Sequence, residues 1–192
     1  VYTLYEGRKQ TVIDDNAKLK QTLAGTVLPQ KEFFTFTTSD GIELNGVIYK
    51  PANFDAAKKY PVIFHQYSGP GSQQVTDSWS MGCMGSGGMF EAMLCQKGYV
   101  CVTIDPRGTT ARGADFQKMT YMRMGEKECR DHVESAKYIA TQPWADKSRF
   151  AIWGWSHGGF TTLMSMTEGE GTYRCGVSIA PPTDFRFYDT VY

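Results

Sequence analysis

From Tyr60 onward, short apolar runs alternate with stretches whose apolar residues recur at helical spacing. The runs are PVIF (61–64), YVCVTI (99–104), FAIW (150–153) and CGVSIA (175–180). Each has the length of a strand buried on both faces. Between them, Met89, Phe90, Met93 and Leu94 share one helical face, as do Cys129, Val133, Ala136, Ile139 and Ala140, and again Phe160, Leu163 and Met164. Strands alternating with helices predict a parallel sheet with right-handed crossovers.

Upstream the pattern changes. Within 33–50, FFTFTT and IELNGVIYK flank an Asp-Gly turn and predict an antiparallel pair. Val1 to Tyr5 reads as a strand, EGRK as a turn and TVI as a second strand, followed by a polar, helix-tolerant stretch closed by Pro29. A two-stranded hairpin is marginal alone. Residues 1–30 are therefore expected to be the end of something larger, or an arm packed on a main domain of residues 31–192. The predicted class is α/β, a mostly parallel sheet with an antiparallel start and flanking helices.

Composition narrows the function classes. The chain has 192 residues, with 20 Lys and Arg against 20 Asp and Glu, and is 41% hydrophobic and 14% aromatic. Balanced charge leaves no electrostatic footprint for nucleic acid or an anionic membrane. No apolar run approaches the ~20 residues that span a bilayer, and no apolar signal region opens the chain. The cysteines are Cys83, Cys95, Cys101, Cys129 and Cys175. None forms the close Cys/His pairs a zinc site needs, so most are expected to be buried thiols, with disulfide pairing left open.

The chemistry concentrates in Gly154-Trp155-Ser156-His157-Gly158-Gly159. This Gly-x-Ser-x-Gly follows a predicted buried strand and precedes a predicted helix, the context of a nucleophile elbow. A strand reversing sharply into a helix strains the serine backbone, and side chains at the flanking glycines would clash. The serine oxygen then stands above the sheet, and the N–H groups opening the helix face a developing oxyanion. A second loop, His65-Gln66-Tyr67-Ser68-Gly69-Pro70-Gly71-Ser72, leaves the carboxyl end of the PVIF strand. Loops leaving those ends line the site of a parallel sheet, so Tyr67 is placed to offer its phenol to the oxyanion beside the His157 N–H. A plain turn is the bland alternative; a phosphate loop is disfavoured by the lack of GxxxxGK[ST].

Three histidines are present. The His157 side chain is poorly placed to take the Ser156 proton. His65, at a strand end, is expected to pack or support its loop. His132, next to Asp131 on an amphipathic helix, is expected to form a solvated or bridging pair. On this fold the triad runs Ser, then Asp or Glu, then His. No histidine follows His157, so the base, and with it the acid, is expected beyond Tyr192.

GWSHGG after RFAIW, HQYSGPGSQ, IDPRGT and APPTDFRFYDTVY, in this order, resemble the prolyl oligopeptidase family of serine peptidases, within it the dipeptidyl peptidase IV group and especially its bacterial members. The likeness covers about residues 33–192, and residues 1–30 resemble the tail of the β-propeller that precedes the family's catalytic domain. The resemblance implies a partial α/β-hydrolase fold. It implies Ser156 as nucleophile, Tyr67 and the His157 N–H as oxyanion donors, and Tyr188 and Tyr192 as walls of a slot for a penultimate proline. Phe185 and Pro182 fall where the family places further apolar pocket residues, with altered identities, and Trp155 counts among the substrate-facing residues. His157 replaces the tyrosine more usual there. A proline ring offers no N–H, so shape and stacking must recognise it.

The implied activity is covalent acyl transfer, with water releasing the acyl-enzyme and N-terminal dipeptides leaving after proline or alanine. No metal or organic cofactor is implied. The implied partners are peptides and, in the full-length protein, a second copy; the implied location is periplasmic or at the cell surface. A related oligopeptidase, acylaminoacyl peptidase or esterase is the alternative, as is an inactive scaffold with an intact elbow.

Overall fold

The computed structural model describes residues 2–6, 9–78 and 89–188. β1 (Tyr2–Glu6) and β2 (Lys9–Asp14) pair antiparallel as a two-stranded sheet of their own, and α1 (Ala17–Leu23) follows with no buried residue. β3 (Gln30–Thr37) and β4 (Glu43–Lys50) form the expected antiparallel hairpin. Then come β5 (Tyr60–His65), α2 (Met89–Gln96), β6 (Val100–Asp105), α3 (Ala114–Gln117), α4 (Glu126–Ala140), β7 (Ala145–Trp155), α5 (His157–Glu168) and β8 (Cys175–Ile179). The six-stranded sheet has the order β3-β4-β6-β5-β7-β8. β4 meets β6 antiparallel, and β6, β5, β7 and β8 run parallel. This is the partial α/β-hydrolase architecture, antiparallel at its start.

The order of the strands locates the site. From β5 the chain crosses to β6 on one side and then returns past β5 to β7 on the other. A crevice opens at such a reversal, beyond the carboxyl ends of the two strands where crossovers diverge. Those ends are His65 on β5 and Trp155 on β7, so the Tyr67 loop and the Ser156 turn meet there.

Below the crevice, α4 presents Cys129, Val133, Ala136 and Ile139 to a core that includes Val62, Phe64, Val102, Phe150 and Ile152. Side chains of this size contribute roughly 1.5–3 kcal/mol each when fully buried. The predicted face of this helix is the observed one.

Two other faces differ. On α2, Ala92, Leu94 and Cys95 are buried while Met89, Phe90 and Met93 are exposed. On α5 the buried residues are His157, Gly158, Gly159, Thr161, Thr162 and Ser165, and Leu163 is exposed. The turn before α5 sets its rotational phase and brings its backbone so close to β8 that a Cβ at Gly159 would stand 2.8 Å from the Ile179 carbonyl oxygen. β8 also departs from the expectation of burial on both faces, because it forms the edge of the described sheet. Cys175 on that strand is exposed, whereas Cys95, Cys101 and Cys129 are buried free thiols; Cys83 lies outside the described residues.

Candidate active site

Ser156 joins β7 to α5 with φ 58° and ψ −120°. A non-glycine residue at positive φ brings Cβ against the carbonyl of the preceding peptide, and such a conformation persists only where its surroundings over-determine it. Here three backbone segments do so. The Ser156 N–H donates to the Ile179 carbonyl at the end of β8 (2.8 Å), and the Phe160 N–H donates back to the Ser156 carbonyl (3.1 Å). The Gln66 carbonyl wedges between Gly154 and Gly158: a Cβ added at either glycine would stand 2.4 Å from its oxygen. No side chain fits, and the contacted atoms are backbone that cannot swing aside. The sequence demanded glycine at both positions, and the clash that demands it is with the backbone of the loop carrying Tyr67.

Ser156 is half-buried, opening α5. The first N–H groups of a helix have no acceptor within it and carry its positive dipole end. His157 occupies the first helical position, so its N–H is one of these groups. The loop carrying Tyr67 is held against the same turn: Gln66 N–H donates to the Trp153 carbonyl (3.1 Å), and Gln66 Nε2 donates to the Gly158 carbonyl and to Thr162 Oγ1 (3.0 Å).

Aromatic rings close one side of the turn. Tyr67 and His157 have centroids 6.3 Å apart; the His157 ring meets Phe160 at 5.6 Å and Phe185 at 6.3 Å. Phe185 packs edge-on against Phe160 at 5.1 Å and lies 6.1 Å from Tyr188, which is half exposed. The expected Tyr67, His157, Phe185 and Tyr188 are therefore linked ring to ring, joined by Phe160, which the sequence showed only as a helix-face residue. Trp155, half exposed, stands next to Ser156 in the chain, and Pro182 is partly buried before the short helical turn at Phe185–Phe187. Tyr192 lies outside the described residues.

The histidines are buried, and each is a weak base in consequence. Burial holds His65 and His132 down at about 3 and His157 at about 4. His65 packs its ring 4.7 Å from that of Trp153, as expected for a supporting residue. His157 Nε2 lies 3.9 Å from Glu128 Oε1, a carboxyl that burial pushes up to about 7 and that also accepts the Gly125 N–H at the start of α4 (2.9 Å). The reading of His132 and Asp131 as a solvated or bridging pair is corrected. Both are fully buried and they bind different partners. Asp131 takes the Arg107 guanidinium (2.5 and 3.0 Å) and the Arg107 N–H (2.8 Å), while Arg107 also reaches Asp40 (2.7 Å). His132 contacts Ser68. The cause is packing: α4 is covered on one side by the sheet and on another by the loops after β5 and β6, so its polar positions point inward.

The sequence pattern of the prolyl oligopeptidase family matches residues 88–192, more than half of the chain. The chain belongs to the prolyl oligopeptidase family. Solved relatives within that family repeat its fold. The crystal structure of a Porphyromonas gingivalis dipeptidyl peptidase 4 superposes with a TM-score of 0.84 at 44% identity, covering 96% of this chain and 25% of that one. A putative dipeptidyl aminopeptidase IV from Bacteroides ovatus gives 0.80 at 35% identity, over 87% of this chain and 23% of that one. A probable dipeptidyl-aminopeptidase B of Fusarium vanettenii is 40% identical over 185 residues, 95% of this chain and 20% of that protein. The chain thus spans a fifth to a quarter of these relatives.

Proposed function

We propose that this chain is the nucleophile-bearing portion of a serine dipeptidyl peptidase catalytic domain, preceded in residues 1–30 by the end of a β-propeller. The observation that carries the reading is the strained Ser156 turn clamped against the Tyr67 loop. Ser156 Oγ attacks the carbonyl of a penultimate proline or alanine. The Tyr67 phenol and the His157 N–H hold the oxygen as it gains charge; they are worth most where charge develops, since a fixed donor costs no reorganisation there. Phe185 and Tyr188 form the apolar slot for the ring, to which the family resemblance alone adds Tyr192. The amine leaves as the acyl-enzyme forms, and water then releases the dipeptide.

The general base comes from chain outside these residues. A base works best with a pKa near the working pH, and the three imidazoles here are held at about 3 to 4 by burial. By the same resemblance the complete protein pairs with a second copy and works in the periplasm or at the cell surface.

The test is turnover of Gly-Pro and Ala-Pro p-nitroanilides by the complete polypeptide that carries this chain, beside the same compounds acetylated at the amino terminus. Hydrolysis of the free forms alone is expected. Equal hydrolysis of the blocked forms would favour an oligopeptidase or acylaminoacyl peptidase, and no hydrolysis of either would favour an inactive scaffold.

A further inference from the structure

We propose that His132 and Ser68 are positioning residues that set the oxyanion loop through a buried hydrogen-bond relay, from α4 through Gln66 to the nucleophile turn. The proposal rests on the reading of Tyr67 as an oxyanion donor. It concerns two side chains to which that reading gives no role.

The relay begins at the two neighbours of Tyr67. Gln66 and Ser68 are 0% and 1% exposed, and His132 is 1% exposed. Ser68 Oγ donates to Gln66 Oε1 (2.9 Å) and lies 2.7 Å from His132 Nε2. Gln66 Nε2 donates onward to the Gly158 carbonyl and Thr162 Oγ1 on α5.

Donor counting fixes the direction of every bond. The Gln66 amide nitrogen faces two acceptors on α5, so its oxygen faces Ser68. A hydroxyl has one hydrogen, and an amide oxygen cannot donate, so that hydrogen goes to Gln66. The Ser68–His132 contact therefore has the imidazole as donor, in the Nε2–H tautomer. Burial keeps the ring neutral across the working range, and the tautomer is set by its partner.

Backbone strain shows why the loop needs holding. Ser68 sits at φ 64°, a left-handed conformation that a non-glycine residue adopts at a cost. The peptide on the other side of Tyr67 is pinned by the Gln66 carbonyl between two glycines. Tyr67 thus stands between a strained residue and a wedged one, and one chain of hydrogen bonds ties both to the helices behind. A further anchor fixes the far end: the His132 carbonyl accepts from Tyr173 (2.7 Å) and Ser135 (2.8 Å). Cutting the relay at His132 or Ser68 leaves a buried polar partner unsatisfied and frees the loop to relax. Misplacement of about 1 Å in a catalytic group costs on the order of 10²-fold in rate.

The experiment is steady-state kinetics of the complete polypeptide on Gly-Pro p-nitroanilide, with His132→Leu, His132→Gln, Ser68→Gly and each in a Tyr67→Phe background. His132→Leu is expected to lower kcat by about 10- to 100-fold with KM changed less than about threefold. His132→Gln, which keeps an N–H donor, should restore most of the rate. Ser68→Gly tolerates φ 64° without strain, so it should fold well and still lose kcat. In Tyr67→Phe, the same changes should have little further effect, because they act through the phenol. Full additivity in that background, or loss of thermal stability with kcat intact, would overturn the relay alone. A Tyr67→Phe variant as active as wild type would overturn the oxyanion reading and the relay with it.

Discussion

Removing the side chain of Ser156 in two ways separates its chemistry from its strain. Ser156→Ala and Ser156→Gly both delete the hydroxyl, but only alanine keeps a Cβ at φ 58° and ψ −120°. Backbone held in such a sparsely populated region stores about 1–3 kcal/mol. Glycine releases that strain and gives back roughly 0.5–1 kcal/mol through its greater freedom in the unfolded chain. Ser156→Gly is therefore expected to be more stable than Ser156→Ala by about 1 kcal/mol. With denaturant slopes of about 1–3 kcal/mol/M, the urea midpoint of the transition reporting this domain should differ by about 0.3–1 M. Both variants should lose turnover by about 10³-fold or more if Ser156 is the nucleophile. The assay is equilibrium urea denaturation of the complete polypeptide, followed by tryptophan fluorescence, for the two variants side by side. A Ser156→Ala protein as stable as Ser156→Gly would refute the claim that this turn stores strain to present the hydroxyl.

Other outcomes follow from the same geometry. Gly158→Ala places a Cβ 2.4 Å from the Gln66 carbonyl, so it should cost about 1–3 kcal/mol or more in denaturation and abolish turnover; Gly25→Ala, with nothing within 4 Å, should change neither. Tyr67→Phe should lower kcat by about 10²–10³-fold with KM little changed, read on a dipeptide nitroanilide. Burial pushes Glu128 from 4.5 up to about 7, so within that window the folded chain holds a proton that the unfolded chain has released. The stability contribution of Glu128 therefore falls as pH rises from 4.5 to 7 and is flat above. Glu128→Gln keeps an acceptor for the Gly125 N–H and should gain on wild type across that window, with the gain present at pH 8 and absent at pH 4, in urea denaturation at the two pH values.

The parts legible in the sequence were those whose causes are local. Strand, Gly-x-Ser-x-Gly and helix are contiguous between Ala145 and Glu168, and the glycines at 154 and 158 follow from sterics that any sharp strand-to-helix turn obeys. The alternation of apolar runs likewise gave the parallel sheet and the buried face of α4. The phase of α5 was hidden because Leu163 and Met164 make a respectable apolar stripe, yet the turn at Ser156 rotates Thr161, Thr162 and Ser165 inward instead. The surroundings of His132 were hidden for a different reason. Its partner Ser68 lies 64 residues away, and a polar position on an amphipathic helix looks solvated until a second layer of loops is known to cover it. Gln66 and Ser68 stood on either side of a residue already singled out, but only the fold turns them inward.

Treating the complete polypeptide with a fluorophosphonate and mapping the adduct by peptide mass spectrometry probes the role of Ser156 itself. One adduct is expected, on the peptide containing Ser156, with loss of dipeptide nitroanilide turnover in proportion to labelling. Labelling of another residue, or turnover that survives full modification of Ser156, would contradict that role.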